Sequence, residues 1–240
     1  MTMTAPPTAA RIFLADQRGC LQTTQQQRLS TLSFGEYQAE GRGPVGRLLA
    51  FNEESLAGGA AVTFPVAQAT HLLLLPVVGA LTYLGPAGLL GSLDVEQALV
   101  LALPAGSTVQ LRNPYEGEVI TFLHIWLSAG PLPPTVATAQ HFEYRFDNLQ
   151  NQLAEVLPAS VRRPFSLHLG RFEGRHEAAH RVAAPGNALF AFVLAGAFEL
   201  ENRLLHAGDA LALPPGPEAE LEALSNNALV LLLEISEMVR

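Results

Sequence analysis

Short apolar runs recur along the chain and are cut by Gly, Pro or polar clusters. They fall at 47–51, 72–84, 98–103, 119–127, 166–172, 189–200, 210–213 and 228–235. Runs of this length with flanking turn residues predict strands rather than helices. Ala and Leu are weak strand formers, so the turn spacing carries the prediction more than propensity does. Many short strands separated by Gly/Pro turns predict an all-β barrel or sandwich. Residues 147–157 are the exception. Asp147 is a potential N-cap, Leu149, Leu153 and Val156 recur at helical spacing, and Pro158 follows, which predicts a short interdomain helix. It comes after GPLPP at 130–134, the best candidate boundary.

The two halves resemble each other. LLPVVGALTYL (74–84) lines up with AFVLAGAFEL (191–200), pairing Gly79 with Gly196. LALPAG (101–106) repeats as LALPPG (211–216), and each half then ends in an apolar strand, at 119–127 and 228–235. From the Gly to the second motif there are 22 residues in one half and 15 in the other, which predicts a longer hairpin loop around 85–94. A duplicated all-β unit of roughly 100 residues explains this order. The expected division is a disordered leader at 1–10, an N-terminal domain at 11–135 and a C-terminal domain at 136–240.

Composition narrows the function classes. The 240 residues are 49% hydrophobic and 15% charged, which excludes a disordered chain and leaves room for sizeable cores. The net charge is −8 and no basic cluster is visible, which argues against direct contact with nucleic acid. A single cysteine, Cys20, excludes an internal disulfide framework and a Cys-rich zinc site. It fits a reducing cytoplasm, the expected location. The opening MTMTAPPTAA lacks the basic and apolar regions of a signal peptide. The longest apolar run, 72–84, is broken by Pro76 and Gly79 and falls short of the roughly 20 residues of a membrane helix. No membrane association is expected.

In order and spacing the motifs resemble those of the pirin family, which are bicupins. The resemblance begins with FGEY at 34–37 and GRLLAFNEESLAGG at 46–59, where Leu48, Leu49, Asn52, Glu53 and Glu54 occupy an "R-V-(I/L)-N-(D/E)-(D/E)" pattern. It continues through the strand ending at Gly79, the PAG turn at 104–106 and LHIWL at 123–127, similar to the family's "L-Q-(I/L)-W". HAGDALAL at 206–213 resembles the second cupin of bacterial pirins. Nearly the whole chain is covered. The resemblance implies two cupin (double-stranded β-helix, jelly-roll) barrels and, for the first barrel, a metal site of three His and one Glu. Such a site is built from "H-P-H" and from "H-x-E" after "A-G-x-G". It would imply a metal-dependent dioxygenase of the quercetin 2,3-dioxygenase type.

The chain departs from that ligand set at every position. "H-P-H" reads Phe64-Pro65-Val66, and "H-x-E" reads Leu111-Arg112-Asn113. Apolar volume at these places makes a drier site, less able to hold a divalent ion. The alignment also needs one extra residue between Val66 and Gly79. Phe64, Val66, Leu111 and Asn113 are therefore the expected lining of a cavity or of a plugged barrel. His71 and His124 are weaker pocket candidates. HEAAH at 176–180 matches the H-E-x-x-H string, but zinc peptidase chemistry needs both His on one helical face, and the surroundings read as strand and turn. His168 lies on a predicted strand with Ser166 and Gly170. His206 and Asp209 read as turn chemistry, and Cys20 has only Arg18 near it to activate a thiol.

Binding is thus favoured over catalysis. The chain reads as a pirin-like bicupin with no metal, no cofactor and no catalytic residue. Its expected partner is a small apolar ligand or another protein. The alternatives are a dioxygenase of the quercetinase type and a cofactor-free enzyme using a lone His or Arg112.

Overall fold

The computed structural model describes residues 9–130 and 132–236. Eight of the ten residues of the expected leader, 1–8, lie outside the described range. Two compact units form. One comprises Gln17–Asn148 and Val156–Pro164; the other comprises the N-terminal stretch through Asp16, Leu149–Glu155 and the chain from Phe165 onward.

Each unit pairs a large and a small sheet among the described residues. In the first, the seven-stranded sheet runs Thr138–Glu143, Gln97–Leu103, Thr70–Val78, Ile120–Ser128, Leu48–Leu56, Gln26–Ser30, Gly19–Gln22. Its four-stranded companion runs Ala61–Pro65, Thr108–Arg112, Leu81–Leu84, Leu90–Leu93. In the second, a six-stranded sheet runs Arg11–Phe13, Ala210–Leu213, Ala188–Ala195, Ala228–Ile235, Phe165–Phe172, Leu153–Leu157. Its companion runs Glu177–Arg181, Glu218–Ala223, Ala197–Leu200, Arg203–His206. Ile120–Ser128 and Ala188–Ala195 each pair antiparallel with both of their neighbours. This is the expected all-β, two-barrel architecture.

Strand alternation builds both cores. On Gln97–Leu103, Leu99, Leu101 and Leu103 enter the first core with Leu72 and Leu74 of the neighbouring strand. Ala98 and Val100 face the other way and are buried too. A strand buried on both faces reads as an unbroken apolar run, so this chain builds sheet from Leu and Ala. The second core collects Leu189, Ala191 and Val193 with Val230 and Leu232.

The internal repeat is structural. The pairing register shifts once opposite Val77, between Thr121 and Phe122, and once opposite Leu194, between Val193 and Ala195. Both bulges sit two residues before the paired glycines. Gly79 and Gly196 hold φ of +73° and +76°. A Cβ would lie 2.9 Å from Ile120 at the first and 2.4 Å from Ser225 Oγ at the second. Glycine is required at both by backbone and space alike. The predicted longer loop is present: residues 85–89 join Leu81–Leu84 to Leu90–Leu93, whereas Glu201 and Asn202 alone turn the second hairpin.

Two expectations are corrected. Residues 147–157 form no helix. Phe146–Leu149 is a single 3-10 turn, Asn151 takes φ of +54°, and Leu153–Leu157 is a strand at a sheet edge. The Asn151 N–H donates to Arg171 O at 2.7 Å and its Oδ1 accepts from the Glu173 N–H at 2.9 Å. Pairing with a ready sheet edge outweighs weak helical propensity. The division also differs from a cut between 135 and 136. Arg11–Phe13 pairs with Ala210–Leu213 in the second unit, and Thr138–Glu143 pairs with Gln97–Leu103 in the first.

Candidate functional site

The positions singled out in the first barrel separate. Strand Ala61–Pro65 lies beside Thr108–Arg112 with Phe64 opposite Val109 and Val62 opposite Leu111. Phe64 and Val66 turn inward and line a cavity of about 430 Å³ with Arg28, Phe34, Gln68 and Trp126. Leu111 is fully buried in the core and does not line it. Asn113 is occupied elsewhere: its Nδ2 donates to the carbonyls of Leu56, Ala57 and Glu118 at 2.7–3.0 Å, and its Oδ1 accepts from the Tyr115 N–H at 2.9 Å. It ties a turn and is no pocket residue. His71, on the opposite strand face from Leu72 and Leu74, is buried away from this cavity and lines a different one. Burial pushes its imidazole pKa down, and Arg163 and Arg47 add to that against a hydrogen bond with the Arg162 backbone.

The cavity wall is aromatic. Phe34 meets Phe64 edge-on at 5.8 Å between ring centres, and Phe64 stacks on His124 at 5.0 Å. Trp126 approaches Phe64 edge-on at 5.7 Å. The Arg28 guanidinium lies over both phenyl rings, 5.1 Å from Phe34 and 5.2 Å from Phe64. Such cation–π contacts are worth about 0.5–2 kcal/mol. The segments FGEY, FPV and LHIWL, far apart in sequence, meet here.

Behind this wall is a charged network. On Leu48–Leu56 alternation turns Ala50, Asn52, Glu54 and Leu56 inward, and Asn52 and Glu54 are fully buried. Glu54 Oε2 accepts from Arg28 Nε at 2.7 Å and from His124 Nε2 at 3.2 Å. His124 Nδ1 accepts from the Trp126 indole N–H at 2.9 Å. An accepting Nδ1 carries no proton, so His124 is the neutral Nε2–H tautomer. Burial pushes its pKa down, against the pull of Glu54. Burial alone would raise the Glu54 carboxyl, but the His124 hydrogen bond and the Arg28 ion pair outweigh it and hold Glu54 below its ordinary value. Both ring nitrogens of His124 are engaged, which leaves it no free lone pair for general base chemistry. Glu54 Oε1 and the Asn52 side-chain amide have no protein hydrogen-bond partner among the described residues. Unmet buried groups of this kind cost about 1–3 kcal/mol each.

His124 was identifiable from the sequence; the ion pair beneath it was not. Glu54 entered only as part of a motif, and Arg28 not at all. The available clue is one charged residue on the face of 48–56 that also carries Leu48, Ala50 and Leu56.

The second barrel has its own polar cluster. In HEAAH, His176 follows a turn and the other four residues lie on strand Glu177–Arg181, not in a helix. His176 is exposed and His180 buried, so the pair cannot share a metal as on a helix. His180 Nε2 lies 2.8 Å from Glu234 Oε2, while Glu234 Oε1 accepts from the Ala183 N–H and from Asn187. The ring of His168 meets His180 edge-on at 4.5 Å. Burial, with the neighbouring His180, takes the His168 pKa down to about 4. Asp209 has the expected turn role: it accepts from the backbone N–H groups of Ala15 and His206 at 2.7 and 2.8 Å. Cys20 is exposed.

Residues 157–235 match the family model of the quercetinase C-terminal cupin domain. Among solved structures, the bacterial pirin YhhW from Escherichia coli superposes with a TM-score of 0.82 at 16% identity, covering 96% of this chain and 99% of that one. This chain has the bicupin fold of that pirin. YhhW has also been solved in complex with nickel(II). Quercetin 2,3-dioxygenase from Acinetobacter baumannii superposes with a TM-score of 0.71 at 13% identity, covering 96% of this chain and 80% of that one. No curated protein sequence matches the chain. At these identities the structural likeness establishes the fold alone.

The donor set of this bicupin does not fit the metal that the resemblance implies. Phe64, Val66 and Leu111 have no donor atom, and the one amide oxygen, Asn113 Oδ1, is held by the Tyr115 N–H. A divalent cation of the cupin kind takes imidazole and carboxylate ligands. Among the described residues no group of three or more His, Cys, Asp or Glu side chains is placed to hold a metal ion. No helix of the described residues is long and apolar enough to cross a membrane.

Proposed function

We propose that this pirin-type bicupin acts by binding a small aromatic ligand in its first barrel, without metal-dependent catalysis. The observation that carries this reading is Phe64. Where the resemblance expects the first imidazole ligand, a phenyl ring forms the wall of an aromatic cavity of about 430 Å³, within the usual size of a small-molecule site. Phe34, Phe64 and Trp126 offer ring faces and edges, and Arg28 provides a fixed cation at the rim. The buried Glu54–His124–Trp126 chain holds the wall rigid and has no free lone pair on the imidazole to abstract a proton. Protein partners fit the same reading where a partner inserts an aromatic side chain.

The test uses quercetin as aromatic probe, because quercetin 2,3-dioxygenase shares the fold. Trp126, the only tryptophan, lines the cavity and reports occupancy by fluorescence. The expected result is saturable quenching that is lost in Phe64→Ala, with no quercetin consumed after incubation with Fe(II), Mn(II), Ni(II), Cu(II) or Zn(II). Metal retained near one per chain together with quercetin turnover would overturn the reading in favour of a quercetinase-type dioxygenase.

A further inference from the structure

The N-terminal unit carries a second, larger cavity of about 730 Å³, on the outer face of its seven-stranded sheet. Every lining residue belongs to that unit. Alternation explains its floor. Leu99, Leu101 and Leu103 point into the barrel, so Val100 and Ala102 point outward, and His71 sits directly across from Ala102 on the next strand. Leu132 and Val136 add an apolar wall.

The other end is cationic. Arg163 is 7% exposed. Its guanidinium donates to Gln140 Oε1 and to the Pro158 carbonyl and lies 4.9 Å from the centre of the Phe142 ring. All three partners are neutral, and its Nε has none. Arg162 is exposed beside it. Among the described residues neither arginine has a carboxylate within ion-pair distance, whereas Arg18, Arg28, Arg145, Arg175 and Arg181 do. A buried guanidinium without a counter-charge is costly, and its planar fork matches carboxylate and phosphate oxygens. In a chain of net charge −8, two adjacent uncompensated cations at the end of an apolar cavity form a local reversal of sign.

We propose that this cavity binds a small organic anion. Its carboxylate or phosphate head would be held by Arg162 and Arg163, and its short apolar body would lie over Val100 and Ala102. The bound charge also offsets the repulsion that Arg163 and Arg47 exert on His71. The site is separate from the aromatic cavity, and the two claims stand or fall independently.

Calorimetric titration of the full chain with sodium hexanoate, hexyl phosphate and, as the neutral control, hexan-1-ol tests the proposal. One anion or both should bind at one per chain, with hexan-1-ol at least about tenfold weaker. Hexanoate alone would assign a carboxylate and hexyl phosphate alone a phosphate. Arg162→Ala should weaken binding about tenfold or more, and Val100→Phe should abolish it by filling the floor. Arg163 also anchors Gln140 and Pro158, so the exposed Arg162 is the informative charge to remove. Trp126 fluorescence should not move. Binding that survives both variants, equal binding of hexan-1-ol, no binding of either anion, or a Trp126 response that tracks the titration would each overturn the proposal. The last would place the anion in the first barrel.

Discussion

The Trp126 indole fixes the protonation of His124. With Trp126 donating to Nδ1 at 2.9 Å, a proton there would face another N–H. Trp126→Phe should therefore raise the His124 pKa toward its ordinary value and release the Nε2–H tautomer, read from the ring 15N shifts by NMR. The lost hydrogen bond and packing should cost about 2 kcal/mol. Glu54→Gln leaves Arg28 without its anion and should cost about 3 kcal/mol in urea unfolding. Adding Arg28→Met should recover part of that loss, because the pair is coupled. Histidine burial also gives stability a pH dependence. His168 titrates near 4 in the fold against an ordinary 6.5, so between these values the unfolded chain binds the extra proton. Stability falls as pH drops through that window. His168→Gln should flatten the loss, measured by thermal unfolding from pH 7 to pH 4. Glu234, held below its ordinary 4.5, adds a further loss only below that value. The sequence made His124 and Phe64 legible because alternation and motif position point at both. It concealed Arg28 and Glu54, because an ion pair between neighbouring strands, 26 residues apart, leaves no local pattern.

At the scale of elements, turn spacing predicted the strands well even though Leu and Ala are poor strand formers. Burial on both faces explains why propensity was a weak guide and punctuation a strong one. The failure at 147–157 has the same root. Leu149, Leu153 and Val156 satisfy a helical period, yet the stretch is decided by the unpaired edge of Phe165–Phe172. Asn151, at φ of +54°, is the switch point. Asn151→Ala should cost about 1–2 kcal/mol, by left-handed strain and by the lost bond to Glu173, measured by chemical denaturation. Hydrogen exchange at 153–157 should quicken in the same variant. HEAAH teaches a related lesson. The string is a helical motif, but here His176 precedes the strand and is exposed, while His180 lies on it and is buried.

For the whole molecule, the duplicated order of motifs was enough to give two barrels, since both bulges and both glycines recur. The unit boundaries were not legible, because a strand-length segment carries no mark of the sheet it joins. Arg11–Phe13 belongs to the second unit, where Phe13 is 1% exposed and meets Phe190 at 6.0 Å between ring centres. Phe13→Ala should cost about 3–5 kcal/mol, with the loss of protection appearing in Ala188–Ala195 and Ala210–Leu213 rather than in the first barrel, by hydrogen exchange. The convergence of Arg162 and Arg163 with His71 likewise has no trace in a chain whose linear charge pattern shows no basic cluster.

The pairing of Arg11 with Ala212 has a consequence for biosynthesis. The strand leaves the ribosome some 200 residues before its partner. At about 5–20 residues per second this is a wait on the order of 10–40 seconds. Throughout it, Phe13 and the backbone of Arg11–Phe13 lack their sheet, while the strands of the first barrel emerge and can close. The nascent chain thus carries an unpaired strand throughout this interval, a natural docking point for a chaperone.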